Sequence, residues 1–120
     1  MRSSEEKSEF RSRDRWLVFA FLLGPLSALT HLTVSYSLVP SACAEGSKAM
    51  LHATTAAFLP LCLMAAAIAW MIHRRCDVTD GVLWQQRTRW VATCAIVLAI
   101  ASAILILAME IPNVILGSCD

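Results

Sequence analysis

Charge is scarce in this sequence. Of its 120 residues only 16% are Asp, Glu, Lys or Arg, and their balance is +1. With no strong net charge and no basic stripe interleaved with aromatics, nothing draws the chain to nucleic acid, and that class of partner is excluded. Catalytic signatures are missing as well: there is no glycine-rich phosphate loop, no serine nucleophile elbow, no HExxH and no CxxC. Catalysis would have to be improvised from scattered groups, so a protein that is not an enzyme is expected. Internal repeats and low-complexity linkers are absent too, and a chain of this length forms one domain.

What the sequence has in quantity is apolar surface. Hydrophobic residues make up 58% of it, more than a soluble domain this small could bury inside itself, so part of its solvent is expected to be lipid. Trp16 to Val39, Ala49 to Ile72 and Val91 to Met109 contain no charged residue. At about 1.5 Å per residue, roughly 20 helical residues cross about 30 Å of hydrocarbon. Spans are therefore expected at about 16–39, 49–72 and 90–112. Backbone groups in lipid must pair within their own segment, which makes these segments helices. The expected fold is an all-α membrane protein, an antiparallel three-helix transmembrane bundle over residues 16–120. A polar segment 1–15 precedes it, a short connection lies around Pro40 to Lys48, and a longer loop covers 73–89.

Orientation follows from lysine and arginine. Arg2, Lys7, Arg11, Arg13 and Arg15 precede the first span, Arg74, Arg75, Arg87 and Arg89 separate the second from the third, and only Lys48 falls on the other side. Positive residues mark the cytoplasmic side, so the N-terminus and the 73–89 loop are expected inside and the C-terminus outside. Trp16, Trp70, Trp84 and Trp90 fall near the arginine-rich face, where indoles favour the headgroup layer, and Tyr36 falls near the opposite one. A cleaved secretory signal ending at Ala42-Cys43-Ala44 is the rival reading. The apolar run from Trp16 to Val39 is much longer than the roughly 7 to 15 residues of a signal core, which argues against it.

Three helices with short connections must associate by close packing, since lipid offers no hydrophobic reason to do so. Ala95, Ala99 and Ala103 on the third span, and Ala53, Ala57, Ala65 and Ala69 on the second, are spaced to let backbones approach. Gly24-Pro25 removes a backbone donor within the first span and predicts a kink there. Between Asp80 and Arg89 a short interfacial helix is expected, capped by Asp80, with Val82, Leu83 and Trp84 dipping into the headgroups.

Five cysteines sort by this topology. Cys43 and Cys119 lie outside, Cys62 and Cys94 within spans, and Cys76 in the cytoplasm. Only Cys43 and Cys119 share an oxidising space, and a disulfide between them is the expectation, with two free thiols or a copper-type thiolate site as the alternatives. The other three are expected to be small apolar fillers. His31 and His52 sit inside the first two spans, and an ionisable group there needs a partner. Together with Glu110 they are expected to form one polar cluster beside Thr30, Thr33, Ser35 and Thr55. Three readings stay open: the groups hold the bundle by hydrogen bonding, they dock a partner or move protons, or His31 and His52 bind haem or a metal such as copper. His73, beside Arg74 and Arg75, is expected to be solvated.

The residues Gly24-Pro25-Leu26, His31-Leu32, Tyr36, Leu38-Val39-Pro40, Ala42-Cys43, Leu51-His52, Ile111-Pro112 and Cys119 resemble a family of small uncharacterised proteobacterial membrane proteins. Some of that family accompany the genes of haem-copper terminal oxidases. The resemblance runs from the first span to the last cysteine, and segment 1–15 has no counterpart in it. It implies a multi-pass protein of the bacterial inner membrane that acts as an accessory subunit or assembly helper of a respiratory oxidase. A larger membrane complex is then the expected partner. A homo-oligomer packed through the alanine stripe of the third span is the blander alternative, and a small haem- or metal-binding redox protein using His31 and His52 is the functional one.

Overall fold

Long apolar runs satisfy their own backbone as helices, and the computed structural model, which describes residues 2–76 and 83–115, is built of three. They are α1 (Arg2–Glu45), α2 (Ala49–Arg75) and α3 (Leu83–Ile115). Each is long and apolar enough to cross a membrane. Pro25, Pro40, Pro60 and Pro112 all lie inside helices. Each costs a backbone donor, a loss that neighbouring helices and hydroxyl side chains can make good.

The chain turns sharply between α1 and α2. Gly46 takes φ 63°, its N–H donates to the Cys43 carbonyl at 3.3 Å, and the Ser47 N–H donates to the Ala42 carbonyl at 3.2 Å. This pair of bonds closes the helix in a Schellman motif, which places a glycine where the left-handed conformation falls. The expected connection from Pro40 to Lys48 is accordingly shorter: Pro40 to Glu45 belong to α1.

The three helices pack all against all in a rod measuring 63 × 24 × 15 Å. Their direction alternates, as the layers along the rod record. At the arginine-rich end Leu17 meets Ile72, Cys76 and Ala92. One turn further, Ala20 meets Ala69 and Ala95. Towards the other end Ala28 packs with Cys62, Ala103 and Ile106. The buried α1 positions Leu17, Ala20, Gly24, Ser27 and His31 recur at three- and four-residue spacing, the period of a left-handed seam. Most of the seam residues are small, so the backbones come close. A Cβ built on Gly24 would stand 3.1 Å from the Ala99 Cα and 3.4 Å from its N.

Several expectations change at this level. Residues 2–15 are helical and continue without a break into the first apolar run. No separate interfacial helix is formed from Leu83 onward: those residues are the first turns of α3, continuous with the third apolar run. Asp80, Val82 and the side chain of Trp84 lie outside the described residues. Within the expected loop 73–89, residues 73–75 and 83–89 are helical. Helix α1 continues through Gly24-Pro25, and the visible role of Gly24 is contact with α3. The alanine pattern divides. Ala65, Ala69, Ala95, Ala99 and Ala103 are buried, whereas Ala53 and Ala57 are exposed. The α3 stripe Ala95, Ala99 and Ala103 is covered inside the bundle.

The surface between the ends is apolar, with Leu22, Leu29, Leu63, Val97 and Ile104 exposed. Its hydroxyls are self-satisfied: Thr30, Thr33, Thr54 and Thr93 each donate to the carbonyl four residues back, at 2.6–3.0 Å. That geometry removes the cost of a polar group on an apolar face.

Candidate functional site

The end of the rod that carries Cys43 gathers the ionisable groups. His31 projects from α1, His52 and Thr55 from successive turns of one α2 face, and Glu110 from α3. His52 and Thr55 are three apart, so both face the same neighbour. Glu110 receives both: His52 Nδ1 bonds its Oε1, and Thr55 Oγ1 donates to its Oε2 at 2.7 Å. Thr55 Oγ1 also stands 3.2 Å from His31 Nε2. The four side chains thus form one continuous hydrogen-bonded chain, His52 to Glu110 to Thr55 to His31, that ties all three helices together.

Proton counting fixes the direction of these bonds. A threonine hydroxyl has one hydrogen, and the carboxylate at 2.7 Å is its strongest acceptor. His31 Nε2 must then carry a hydrogen and donate to Thr55 Oγ1. Ser35 Oγ, 3.5 Å from the same nitrogen, is at the limit of hydrogen bonding. The other ring nitrogen, His31 Nδ1, is buried and has no hydrogen-bond partner among the described residues. The ring is 1% exposed and packs edge-on against Phe58, with centroids 5.8 Å apart. A cavity of about 260 Å³ adjoins it, lined by His31, Ser35, Tyr36, Met109 and Asn113 among others. The chain therefore begins at the His52 side chain, 48% exposed, and ends at a buried imidazole beside a cavity. His52 and Glu110 are an ion pair whenever the imidazole is protonated.

The expected cluster of His31, His52 and Glu110 is brought together, though not by direct meeting of the histidines. Thr55 is the connector, and Ser35 stands beside it. Thr30 and Thr33 are not members; they point outward and bond their own helix. A haem or metal held by His31 and His52 would have to use His31 Nδ1 and His52 Nε2, since His31 Nε2 and His52 Nδ1 bond Thr55 and Glu110. Among the described residues no three His, Cys, Asp or Glu side chains converge as ligands.

Lys48 closes the same end by donating to the Asn113 carbonyl at 3.3 Å. Cys43 is disulfide-bonded, and Cys119, its expected partner, lies outside the described residues. Cys62, Cys76 and Cys94 are free thiols. Cys62 is more than a filler: Ser27 Oγ lies 3.1 Å from its sulfur, and Ser27 donates onward to the Gly24 carbonyl at 2.8 Å. A serine facing a cysteine thirty-five positions away has no local signal in the sequence. His73, expected to be solvated, stacks on Trp70 and accepts from Arg89 Nε at 3.4 Å. Compared with protein-family models, curated proteins and solved structures, the chain matches none.

Proposed function

We propose that this chain is a non-catalytic integral membrane protein that docks on a larger membrane complex, as an accessory subunit or assembly helper of a respiratory terminal oxidase in a bacterial inner membrane. In this reading three spans place the N-terminus and central loop in the cytoplasm and the Cys43 end outside, in keeping with nine of ten lysines and arginines on one side. One observation carries the docking. The surface is apolar with self-bonded hydroxyls, yet the His52–Glu110 pair opens onto it, with His52 about half exposed. Lipid gives such a pair nothing to bond, whereas a protein partner can use the free edge of the imidazole and bury both groups. The rigid tie from that pair to His31 on α1 supports this, because a docking group must be held in place before its partner arrives. The choice of an oxidase rests on the family resemblance alone. Affinity purification from native membranes, with mass spectrometry of what accompanies the chain, is the test. We expect oxidase subunits to co-purify and His52→Ala to release them. Retention of no oxidase subunit, together with intact oxidase assembly after deletion, would sink the proposal.

A redox carrier holding haem or metal through His31 and His52 is the second reading, and the unpartnered Nδ1 of His31 is what favours it. An absorption spectrum of the purified protein decides between them: a Soret band or bound copper supports the carrier, and their absence removes it.

A further inference from the structure

Where α2 ends, α1 does not. Because residues 2–15 are helical and continuous with the first apolar run, polar residues of this segment lie alongside the end of α2. A cavity of about 440 Å³ lies in this seam. It is lined by Ile68, Met71 and Ile72 of α2, by the half-exposed Trp16, and by Arg13 and Arg75. Neither guanidinium has a carboxylate within ion-pair distance among the described residues. Ser12 adds a hydroxyl, and Glu9 adds one negative charge against the two positive ones.

We propose that this seam binds one anionic glycerophospholipid, with its phosphate between Arg13 and Arg75 and the upper part of an acyl chain on Ile68, Met71 and Ile72. The charge identifies the occupant. Two guanidiniums against the single carboxylate of Glu9 leave a net positive charge, which favours a phosphate bearing net negative charge over a zwitterionic headgroup, and the apolar residues of the same cavity match the amphipathic character of a lipid. A soluble phosphate would leave those apolar residues and the indole unused. An indole at the headgroup level is what a lipid-water boundary selects. The proposal rests on the bundle crossing a bilayer and is independent of the docking partner.

Trp16 is the probe the site supplies. In the full chain carrying Trp70→Phe, Trp84→Phe and Trp90→Phe, the remaining fluorescence reports Trp16 alone. Reconstitution into bilayers of phosphatidylcholine with rising fractions of brominated phosphatidylglycerol, or of brominated phosphatidylcholine as reference, gives the relative binding constant at that indole. An arginine close to an anionic headgroup is worth roughly a factor of five, and Glu9 offsets part of the second arginine. We expect a preference of about five-fold or more for the anionic lipid. It should fall to near unity in Arg13→Gln/Arg75→Gln and persist in Arg11→Gln/Arg74→Gln, whose arginines lie outside the cavity. Equal quenching by both lipids in the parent, or equal loss in the two double variants, would overturn the site. Quenching of Trp16 by neither lipid would overturn the membrane reading with it.

Discussion

Gly24→Ala is the sharpest test of how the bundle is held. The added methyl would meet the Ala99 Cα at 3.1 Å and its N at 3.4 Å, whereas carbon atoms in ordinary contact stand about 3.5–4.0 Å apart. Both obstacles are backbone, so no side chain can swing aside, and α1 and α3 must separate by roughly half an ångström. Overpacking of this kind costs about 1–3 kcal/mol. Alanine's better helix propensity offsets up to about 1 kcal/mol in an ordinary helix. Here that offset is reduced, because the residue precedes Pro25 and a Cβ before proline disfavours the helical conformation. The expected net loss is about 1–2 kcal/mol, a 5- to 30-fold fall in the folded-to-unfolded ratio. Titration of the purified chain with SDS in mixed micelles, followed by tryptophan fluorescence, measures it. Ala99→Gly in the same chain removes only the Cβ at 3.6 Å and leaves both nearer atoms, so it should restore less than half of the loss. A Gly24→Ala protein as stable as its parent, or full restoration by Ala99→Gly, refutes the close-approach argument.

Thr55→Val keeps the shape but strands His31 Nε2 and Glu110 Oε2; about 1–3 kcal/mol should be lost in the same titration, and Thr55→Ser should lose markedly less because it keeps the hydroxyl. Maleimide labelling of the unfolded, unreduced chain should count three thiols and rise to five after reduction, whereas five from the start would mean that Cys43 is not oxidised. A phosphatase fused after Asp120 should be active outside the cytoplasm, and activity of only a cytosolic reporter at that point would reverse the orientation.

The helices were legible because their signal is one-dimensional. Uncharged runs placed both ends of α2 and the far end of α3 to within three residues, whereas α3 begins at Leu83, seven residues before the expected start at 90; Ala65, Ala69, Ala95, Ala99 and Ala103 are buried, in keeping with their spacing. Ala53 and Ala57 share that spacing yet face outward, since a stripe of small residues says that a face can be approached and not which face is. The N-terminal helix was missed for a related reason. Residues 2–15 have no apolar period of their own, and their helicity propagates from the apolar run that follows, where nucleation has already been met.

The site was legible in composition and not in connectivity. Depth along each helix brought His31, His52 and Glu110 to one end of the rod, and that needed only the rise per residue. Which hydroxyl joins them depends on rotation about each helix axis. Four candidates stood at similar depth: Thr30 and Thr33 turned to their own backbone, Ser35 stayed at the margin, and Thr55 alone faced both Glu110 and His31. A threonine on an apolar helix always has its own carbonyl four residues back as a fallback acceptor, and Thr55 stands 3.3 Å from that of Leu51. It leaves that acceptor for a carboxylate because Glu110 is the stronger one and lies closer. The same logic explains why the sequence could not reveal the Arg13–Arg75 seam: it exists only because a polar helix, silent in hydropathy, runs on past the end of its neighbour.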